Sequence, residues 1–145
     1  MNELLVVDNS VIQRQHDPAI ATATDALLER GELATCLPLL LEAGYSARSR
    51  AHHAEIVERE LAAKVLLAPG PEVVETALRL QSALWEQGKG RAVGVSDLEI
   101  AATAIQHSRP ERPATVIHYD ADFDHVQEIA PDFRAEWIVP RGTAG

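Results

Sequence analysis

Four apolar residues in a row, Leu4 to Val7, lead directly into Asp8, and this short pattern constrains the fold more than any other in the chain. A strand that is apolar at every position has both faces buried, because successive side chains point to opposite sides of the sheet. Such strands occur in parallel sheets covered by helices on both faces. A second strand-like run, Ala114 to His118, leads to Asp120. The chain is therefore predicted to be α/β with a mostly parallel central sheet.

Hydrophobic periodicity and breaker residues predict the other elements. Gly31 is expected just after the C-terminus of the first helix. Further strands are predicted at 33–36, 65–68 and 136–139, and helices at 19–30, 38–50, 53–64, from 71 onward, 96–107 and 122–128. The segment 88–91, Gly-Lys-Gly-Arg, is expected to be a mobile basic loop. The helix predicted at 53–64 is expected to bury Ile56, Val57, Leu61 and Ala63. The helix that begins at 71 is expected to bury Val73, Val74, Ala77, Leu78, Leu84 and Trp85.

Composition limits the class of protein. A chain of 145 residues with 46% hydrophobic residues fits one domain, residues 1–145, with a real core. Aromatic residues make up 4%, which argues against a single-strand binder built on stacking platforms. The single cysteine, Cys36, excludes an internal disulfide and a cysteine-based zinc site. Short apolar runs and a start without basic residues predict a cytoplasmic protein that does not enter the membrane.

The net charge of the chain limits how it can bind nucleic acid. The formal net charge of −9 argues against binding nucleic acid mainly by bulk electrostatics. It leaves room for an enzyme that reaches phosphate groups through metal ions and a local basic rim. Thirteen Lys and Arg residues are available for such a rim, and the four that we single out are Arg14, Arg48, Arg50 and Arg91.

Four acidic residues stand at positions suited to a shared cation. Asp8 and Asp120 follow predicted strands, Glu42 interrupts a leucine-rich helix, and Asp97 lies in the first turn of another helix. Carboxylates are costly beside apolar segments unless a positive charge compensates them. Ligands also bind at the carboxyl ends of parallel strands. Because hard cations prefer oxygen ligands, we predict a Mg²⁺ or Mn²⁺ site.

Other residues in these segments have two interpretations. Ser96-x-x-Glu99 matches a capping box, and Asp97 in the first turn would suit the helix dipole, so both acids have a structural explanation. On a helical wheel Glu99 lies with Thr103 and Gln106 on the polar face, whereas Asp97 lies at its border. We therefore assign Glu99 to the helix and Asp97 to the metal. Glu42 fits a ligand and an ordinary surface residue equally well. Asp122 either caps the helix that follows or joins the ligands, and Asp124 is expected to be solvated. The Asp-x-Asp-x-Asp run at 120–124 lacks the glycine and glutamate of a calcium loop.

The histidines carry weaker signals. His52 and His53 are adjacent, so they do not form the i, i+4 pair of a zinc site. His118 ends a predicted strand close to the expected site, where it either contacts the substrate or is buried with its ring hydrogen-bonded.

Taken together, these segments resemble the PIN-domain ribonucleases, and more narrowly the VapC toxins of bacterial toxin–antitoxin pairs. The resemblance extends from Leu4 to about Val139. Its motifs are Val7-Asp8-Asn9-Ser10, Glu42 in its leucine-rich helix, Ser96-Asp97-Leu98-Glu99-Ile100-Ala101-Ala102-Thr103-Ala104, and His118-Tyr119-Asp120-Ala121-Asp122-Phe123.

The resemblance implies a metal-dependent endoribonuclease with a Rossmann-like α/β/α fold. Its acidic quartet would fall on Asp8, Glu42, Asp97 and Asp120, with Asp122 as an accessory, and its small hydroxyl residue would be Ser10. His118 stands where the family often has threonine. Such enzymes usually cut structured RNA, often tRNA, form homodimers, and are held inactive by a VapB-like antitoxin.

Two rivals differ in class from this hypothesis. One is an inactive binding module that keeps the PIN-like fold without turnover, and metal-dependent RNA cleavage would separate it from an enzyme. The other is a phosphatase of the haloacid-dehalogenase type. That chemistry needs Asp-x-Asp after the first strand, and Ser10 occupies the second position.

Overall fold

A computed structural model describes residues 2–144. All five strands are parallel in the order β3-β2-β1-β4-β5, which confirms the predicted α/β class. The strands are β1 (Glu3–Val7), β2 (Gly31–Cys36), β3 (Val65–Leu67), β4 (Ala114–His118) and β5 (Ala135–Trp137). The helices are α1 (Asn9–Ile12), α2 (Pro18–Ala26), α3 (Leu37–Tyr45), α4 (Arg50–Ala63), α5 (Pro71–Glu86), α6 (Val95–His107) and α7 (Asp122–Ile129), and a 3₁₀ turn (Leu27–Glu29) follows α2.

The central strand β1 explains why its sequence is apolar at every position. Leu4 and Val6 belong to the larger core, which contains side chains of α5, α6 and α7. Leu5 and Val7 point to the opposite face and belong to a smaller core with residues of α1 and α2. Strand β1 is therefore buried on both sides, and the chain is an α/β/α sandwich.

Two boundaries differ from the sequence prediction. Gly31 does not cap a helix but begins β2, where it pairs with Glu3 of β1. A Cβ atom at Gly31 would lie 2.0 Å from the backbone oxygen of Glu3, so close strand pairing requires glycine there. The helix predicted to run to Arg50 ends instead at Tyr45. Arg50 begins α4, because the side chain of Ser49 accepts a hydrogen bond from the His52 N–H and caps that helix.

Helices α4 and α5 bury fewer apolar residues than predicted. In α4 Ile56 is buried, whereas Leu61 and Ala63 are exposed. In α5 the core face consists of Val73, Thr76, Leu80 and Leu84, and the side chains of Val74, Leu78 and Trp85 are exposed. Helix α5 therefore carries a second apolar face that this chain does not cover.

The loop after α5 was predicted to be mobile and is instead tied down by side-chain contacts. Lys89 forms an ion pair with Glu128 at 2.7 Å, and the Arg91 guanidinium lies over the Trp85 ring, 5.4 Å from its centroid. Among the described residues, no helix is both long and apolar enough to cross a membrane.

Candidate functional site

Two acids are brought together by the neighbouring strands β1 and β4. Val7, the last residue of β1, pairs with Ile117 of β4, so Asp8 and Asp120 leave the sheet at the same edge. Asp8 is buried and caps α1 by accepting the Ser10 N–H at 3.0 Å. Asp120 accepts the Asp122 N–H at 2.9 Å. Both carboxylates are thus held by local backbone hydrogen bonds, which fix their direction before any ligand binds.

Helix α6 and the start of α7 bring further acids to this edge. Carboxylate oxygens of Asp97, Asp120 and Asp122 lie within 4.8 Å of one another. Asp8, Asp97 and Asp120 line one cleft of about 350 Å³ together with Glu42. We call it the acidic cleft, and we call its group of carboxylates the acidic centre. The donor set is all oxygen, which fits Mg²⁺ or Mn²⁺ and disfavours a soft metal.

Mutual repulsion is visible in the pKa values of these acids. Burial, the charges of Asp8, Asp120 and Asp122, and a hydrogen bond with Asp122 together raise the pKa of Asp97 to about 8, and burial has the largest effect. Burial also raises the pKa of Asp8, and hydrogen bonds from Ser10 partly oppose that shift. A divalent cation would oppose both effects, because its charge stabilises the carboxylate form of each acid.

Glu42 contributes from α3, at the outer side of the cleft. Its side chain is exposed, yet partial desolvation and the charge of Asp8 raise its pKa, while a hydrogen bond with Asn9 lowers it. Glu42 therefore interacts electrostatically with Asp8. Its position would suit coordination of a metal ion through a water molecule.

Ser10 joins the two strand-end segments. Its hydroxyl oxygen accepts the Tyr119 N–H at 2.9 Å, and its hydrogen bonds to Asp8 stabilise the charged form of that acid. Ser10 was predicted to support the acidic residues, and these hydrogen bonds link the start of α1 to the segment that follows β4.

The basic residues singled out from the sequence are spread over the surface. Arg14 lies beside the acidic cleft, where its guanidinium stacks 5.0 Å from the Tyr119 ring centroid and donates to the Ser10 backbone oxygen. Arg48 and Arg50 lie at the α3–α4 turn, and Arg91 stacks on Trp85. Of the residues described, these last three do not line the acidic cleft.

The structure decides between the two interpretations of His118 in favour of burial. Its side chain is fully buried, packed 5.0 Å from Phe123 and 5.1 Å from Trp137 between ring centroids, so it cannot contact a substrate in this structure. Burial lowers its pKa to about 4, and its Nδ1 accepts the Asp120 N–H at 3.2 Å, which favours the neutral ring. His118 therefore orients the segment that carries Asp120.

The capping box predicted at Ser96 and Glu99 is also absent. Helix α6 begins at Val95 after Gly94, without a side-chain cap, and Ser96 already lies inside it. Thr103, placed on the polar face with Glu99, is buried and donates to the Glu99 backbone oxygen. Glu99 lines the neighbouring apolar clefts, while Asp97 faces the acidic one.

Two predictions for the next segment change as well. Asp122 does not cap α7, because it is the first residue of that helix and its own N–H is bound by Asp120. Asp124 is not simply solvated, because its Oδ1 accepts the Trp137 Nε1–H at 3.0 Å. Trp137 and Arg141, which lie near the centre, were not predicted, since a lone Trp and Arg near a chain end form no recognisable motif.

Comparison with known proteins agrees with this arrangement. The family model described as PIN domain matches residues 5–129. This chain belongs to the PIN-domain family. Ribonuclease VapC21 of Mycobacterium tuberculosis is 37% identical over 144 residues, which cover 99% of this chain and 100% of that protein. Ribonuclease VapC51 of the same organism is 34% identical and covers 95% of each.

A solved structure extends the likeness to three dimensions. VapBC-5 of Mycobacterium tuberculosis, described as a member of the VapBC family of toxin–antitoxin systems, aligns with a TM-score of 0.65 and 26% identity. The alignment covers 92% of this PIN domain and 98% of that chain. The predicted resemblance to VapC-type PIN domains is confirmed, and the haloacid-dehalogenase alternative is set aside.

Proposed function

We propose that this chain is a divalent-metal-dependent endoribonuclease and the toxin of a type II toxin–antitoxin pair. The observation that carries the proposal is the cluster of Asp97, Asp120 and Asp122 beside buried Asp8, at the carboxyl edge of the sheet. The kinship with proteins named ribonucleases supplies the reaction class. Residues 1–145 act together as one nuclease domain.

Each carboxylate of the acidic centre has its own proposed role in binding the metal ion. Asp8, Asp97 and Asp120 would hold Mg²⁺ or Mn²⁺, Glu42 would complete the shell directly or through water, and Asp122 would act beside Asp97. When bound, the ion would lower the pKa of a water molecule and stabilise charge developing on the phosphate. Ser10 orients Asp8 and opposes the rise of its pKa, since its hydrogen bonds favour the carboxylate form.

The substrate class follows from the kinship and from the shape of the centre. The acidic cleft opens on the protein surface beside Arg14, which suits an RNA backbone that lies across the site. We propose structured RNA, with tRNA as the first class to examine. Sequencing the 5′ ends of RNA after induced expression would identify the target and the cut site.

The partner would be a small VapB-like antitoxin. A net charge of −9 and a carboxylate-lined cleft favour a basic peptide, whose Arg or Lys side chains would lie near Asp8 and Asp120. VapBC-5 is by its description a toxin–antitoxin system. We also propose a homodimer in the cytoplasm, supported by the uncovered apolar side chains of Val74, Leu78 and Val95.

The decisive experiment is cleavage of total RNA by the purified chain with Mg²⁺ or Mn²⁺ and with EDTA. We expect metal-dependent cleavage that leaves 5′-phosphate and 3′-hydroxyl ends, because water is the nucleophile. Full activity in EDTA, or cyclic phosphate ends, would contradict the mechanism. Intact RNA under all conditions, with harmless expression of the chain alone, would favour the inactive binding module.

A further inference from the structure

A second cleft adjoins the acidic one on the side away from Glu42. It has a volume of about 540 Å³, and we call it the basic-aromatic cleft after Arg14, Tyr119, Trp137 and Arg141, which line it. Ser10, Gln13 and Asp120 line both clefts, so the two are continuous. A chain that lies across the acidic centre can therefore extend directly into this cleft.

Both arginines of the basic-aromatic cleft are stacked on rings. The Arg14 guanidinium lies 5.0 Å from the Tyr119 centroid, and that of Arg141 lies 5.8 Å from the Trp137 centroid. The two rings meet edge to face at 5.3 Å. Stacking restrains a guanidinium and directs its in-plane N–H groups away from the ring, and Arg14 already donates one of them to the Ser10 backbone oxygen.

The position of Arg141 is fixed by the segment that carries it. The Tyr119 hydroxyl accepts the N–H groups of Gly142 and Ala144, at 2.9 and 3.0 Å, and donates to the Ala144 oxygen at 3.0 Å. Gly142 has φ of 86°, a conformation that favours glycine. Residues 140–144 thus form a turn that is anchored on the Tyr119 hydroxyl.

Arg141 also differs in its charge environment from several other cations of the chain. Arg30, Arg112 and Lys89 each form an ion pair with a glutamate. Within the described residues, Arg141 contacts the Trp137 ring and no carboxylate. An exposed guanidinium with unshared donors, beside a cluster of acids that repels polyanions, suits a phosphate group of the substrate.

We propose that the basic-aromatic cleft is an RNA subsite in which Arg141, aided by Arg14, binds a backbone phosphate next to the one that is cut. The inference rests on the proposed ribonuclease activity and adds the direction in which the RNA leaves the centre. Arg141 and Trp137 lie beyond residues 5–129, the segment matched by the family model. The subsite would therefore draw on residues that follow the segment matched by the family model.

The first test is steady-state cleavage of a short labelled RNA by Arg141→Ala and by a matched control, Arg79→Ala. Arg79 is an exposed arginine of α5 that faces Asp132 at 3.8 Å. We expect Arg141→Ala to raise KM about tenfold with little change in kcat, as loss of one charged hydrogen bond would. Arg141→Lys should restore part of the loss, because lysine keeps the charge without the fork of donors.

The second test measures binding without cleavage. In an Asp97→Asn background, fluorescence anisotropy with a short labelled single-stranded RNA gives affinity as a function of salt. Removal of Arg141 should reduce the slope of log affinity against log salt by about 0.7, the value for one phosphate contact on a single strand. Removal of Arg79 should leave the slope unchanged.

The results of these two tests distinguish a failure of the subsite proposal from a failure of the proposed ribonuclease activity. If the unaltered chain cleaves RNA but Arg141→Ala matches Arg79→Ala in KM and in salt slope, the subsite is wrong and the ribonuclease stands. If the unaltered chain neither cleaves nor binds RNA, both proposals fail. A fall in kcat with unchanged KM would also overturn the subsite, because it would move Arg141 from binding to the chemical step.

Discussion

The acidic centre has two flanks of opposite character. On one side lies the basic-aromatic cleft. On the other lies a cleft of about 800 Å³ that we call the apolar flank, after Ile12, Leu37, Leu41 and Tyr45, which are all exposed. Cations stacked on rings suit a phosphate backbone, whereas exposed leucines suit an apolar peptide. The contrast suggests that RNA and antitoxin approach the same carboxylates from different sides.

Substitutions in the acidic centre should lower activity more than substitutions in either flank. Replacing Asp8, Asp97 or Asp120 by asparagine should each lower kcat by about 100-fold or more, as expected when a key electrostatic group is lost. Each variant should stay folded, and its metal-free form should be no less stable than the parent, because repulsion between the acids is relieved. Cleavage assays and thermal unfolding in EDTA measure the two effects.

Glu99→Gln provides the control for Asp97→Asn, because both residues lie on α6. Since Glu99 lines the apolar clefts and does not cap the helix, its replacement should leave cleavage and stability nearly unchanged. Loss of activity in Glu99→Gln with activity kept in Asp97→Asn would mean that the wrong acid of this helix has been assigned.

The apolar flank should matter for the partner and not for RNA. Leu41→Asp should weaken antitoxin binding by about 2 kcal/mol, or about 30-fold, as loss of an interface hot spot does. Its RNA cleavage should be unchanged. Co-purification and titration with the proposed VapB-like antitoxin would measure the loss.

Leu28 offers a matched control for Leu41, because both leucines are 63% exposed and Leu28 lies in the 3₁₀ turn after α2. Leu28→Asp should bind the antitoxin as the parent does. Equal loss in both variants would indicate a general effect of a new charge, and the assignment of the flanks would then be wrong.

The fold and the acidic centre were largely predictable, whereas the flanks were not. Continuous apolar strands and the acids that follow them depend on local sequence, so Asp8 and Asp120 could be placed from the residues alone. The exposed face of α5 has the same helical spacing as its core face, so periodicity could not exclude Val74 from the core. The contact of Trp137 with Asp124 depends on tertiary packing, which no spacing rule encodes.

Metal-free stability should fall as pH rises. The folded-state pKa of Asp97 is raised from 3.8 to about 8, so the folded protein holds a proton that the unfolded chain has lost, and stability declines as pH rises through that range. The folded-state pKa of His118 is lowered from 6.5 to about 4, so it destabilises the fold only as pH falls below 6.5. Between pH 6.5 and 8, therefore, the decline expected from Asp97 is not opposed by His118.

Urea unfolding in EDTA at pH 6.5 and at pH 8 would measure that slope. Saturating Mn²⁺ should reduce it, because the ion compensates the charged acids, and Asp97→Asn should reduce it without metal. A metal-free protein that becomes more stable over this interval would show that the raised pKa of Asp97 does not govern its stability.

The smallest expected effect concerns the anchor of the basic-aromatic cleft. Tyr119→Phe keeps the ring that stacks with Arg14 and Trp137 but removes the hydroxyl that holds Gly142 and Ala144. Loss of these partly exposed hydrogen bonds should cost about 1 kcal/mol of unfolding free energy. Because Arg141 would then be less well positioned, KM should rise, by less than the about tenfold expected for Arg141→Ala. The double variant should show no further rise in KM, since Tyr119 would act on RNA through Arg141. Additive effects of the two substitutions would instead mean that the Tyr119 hydroxyl and Arg141 contribute to RNA binding independently.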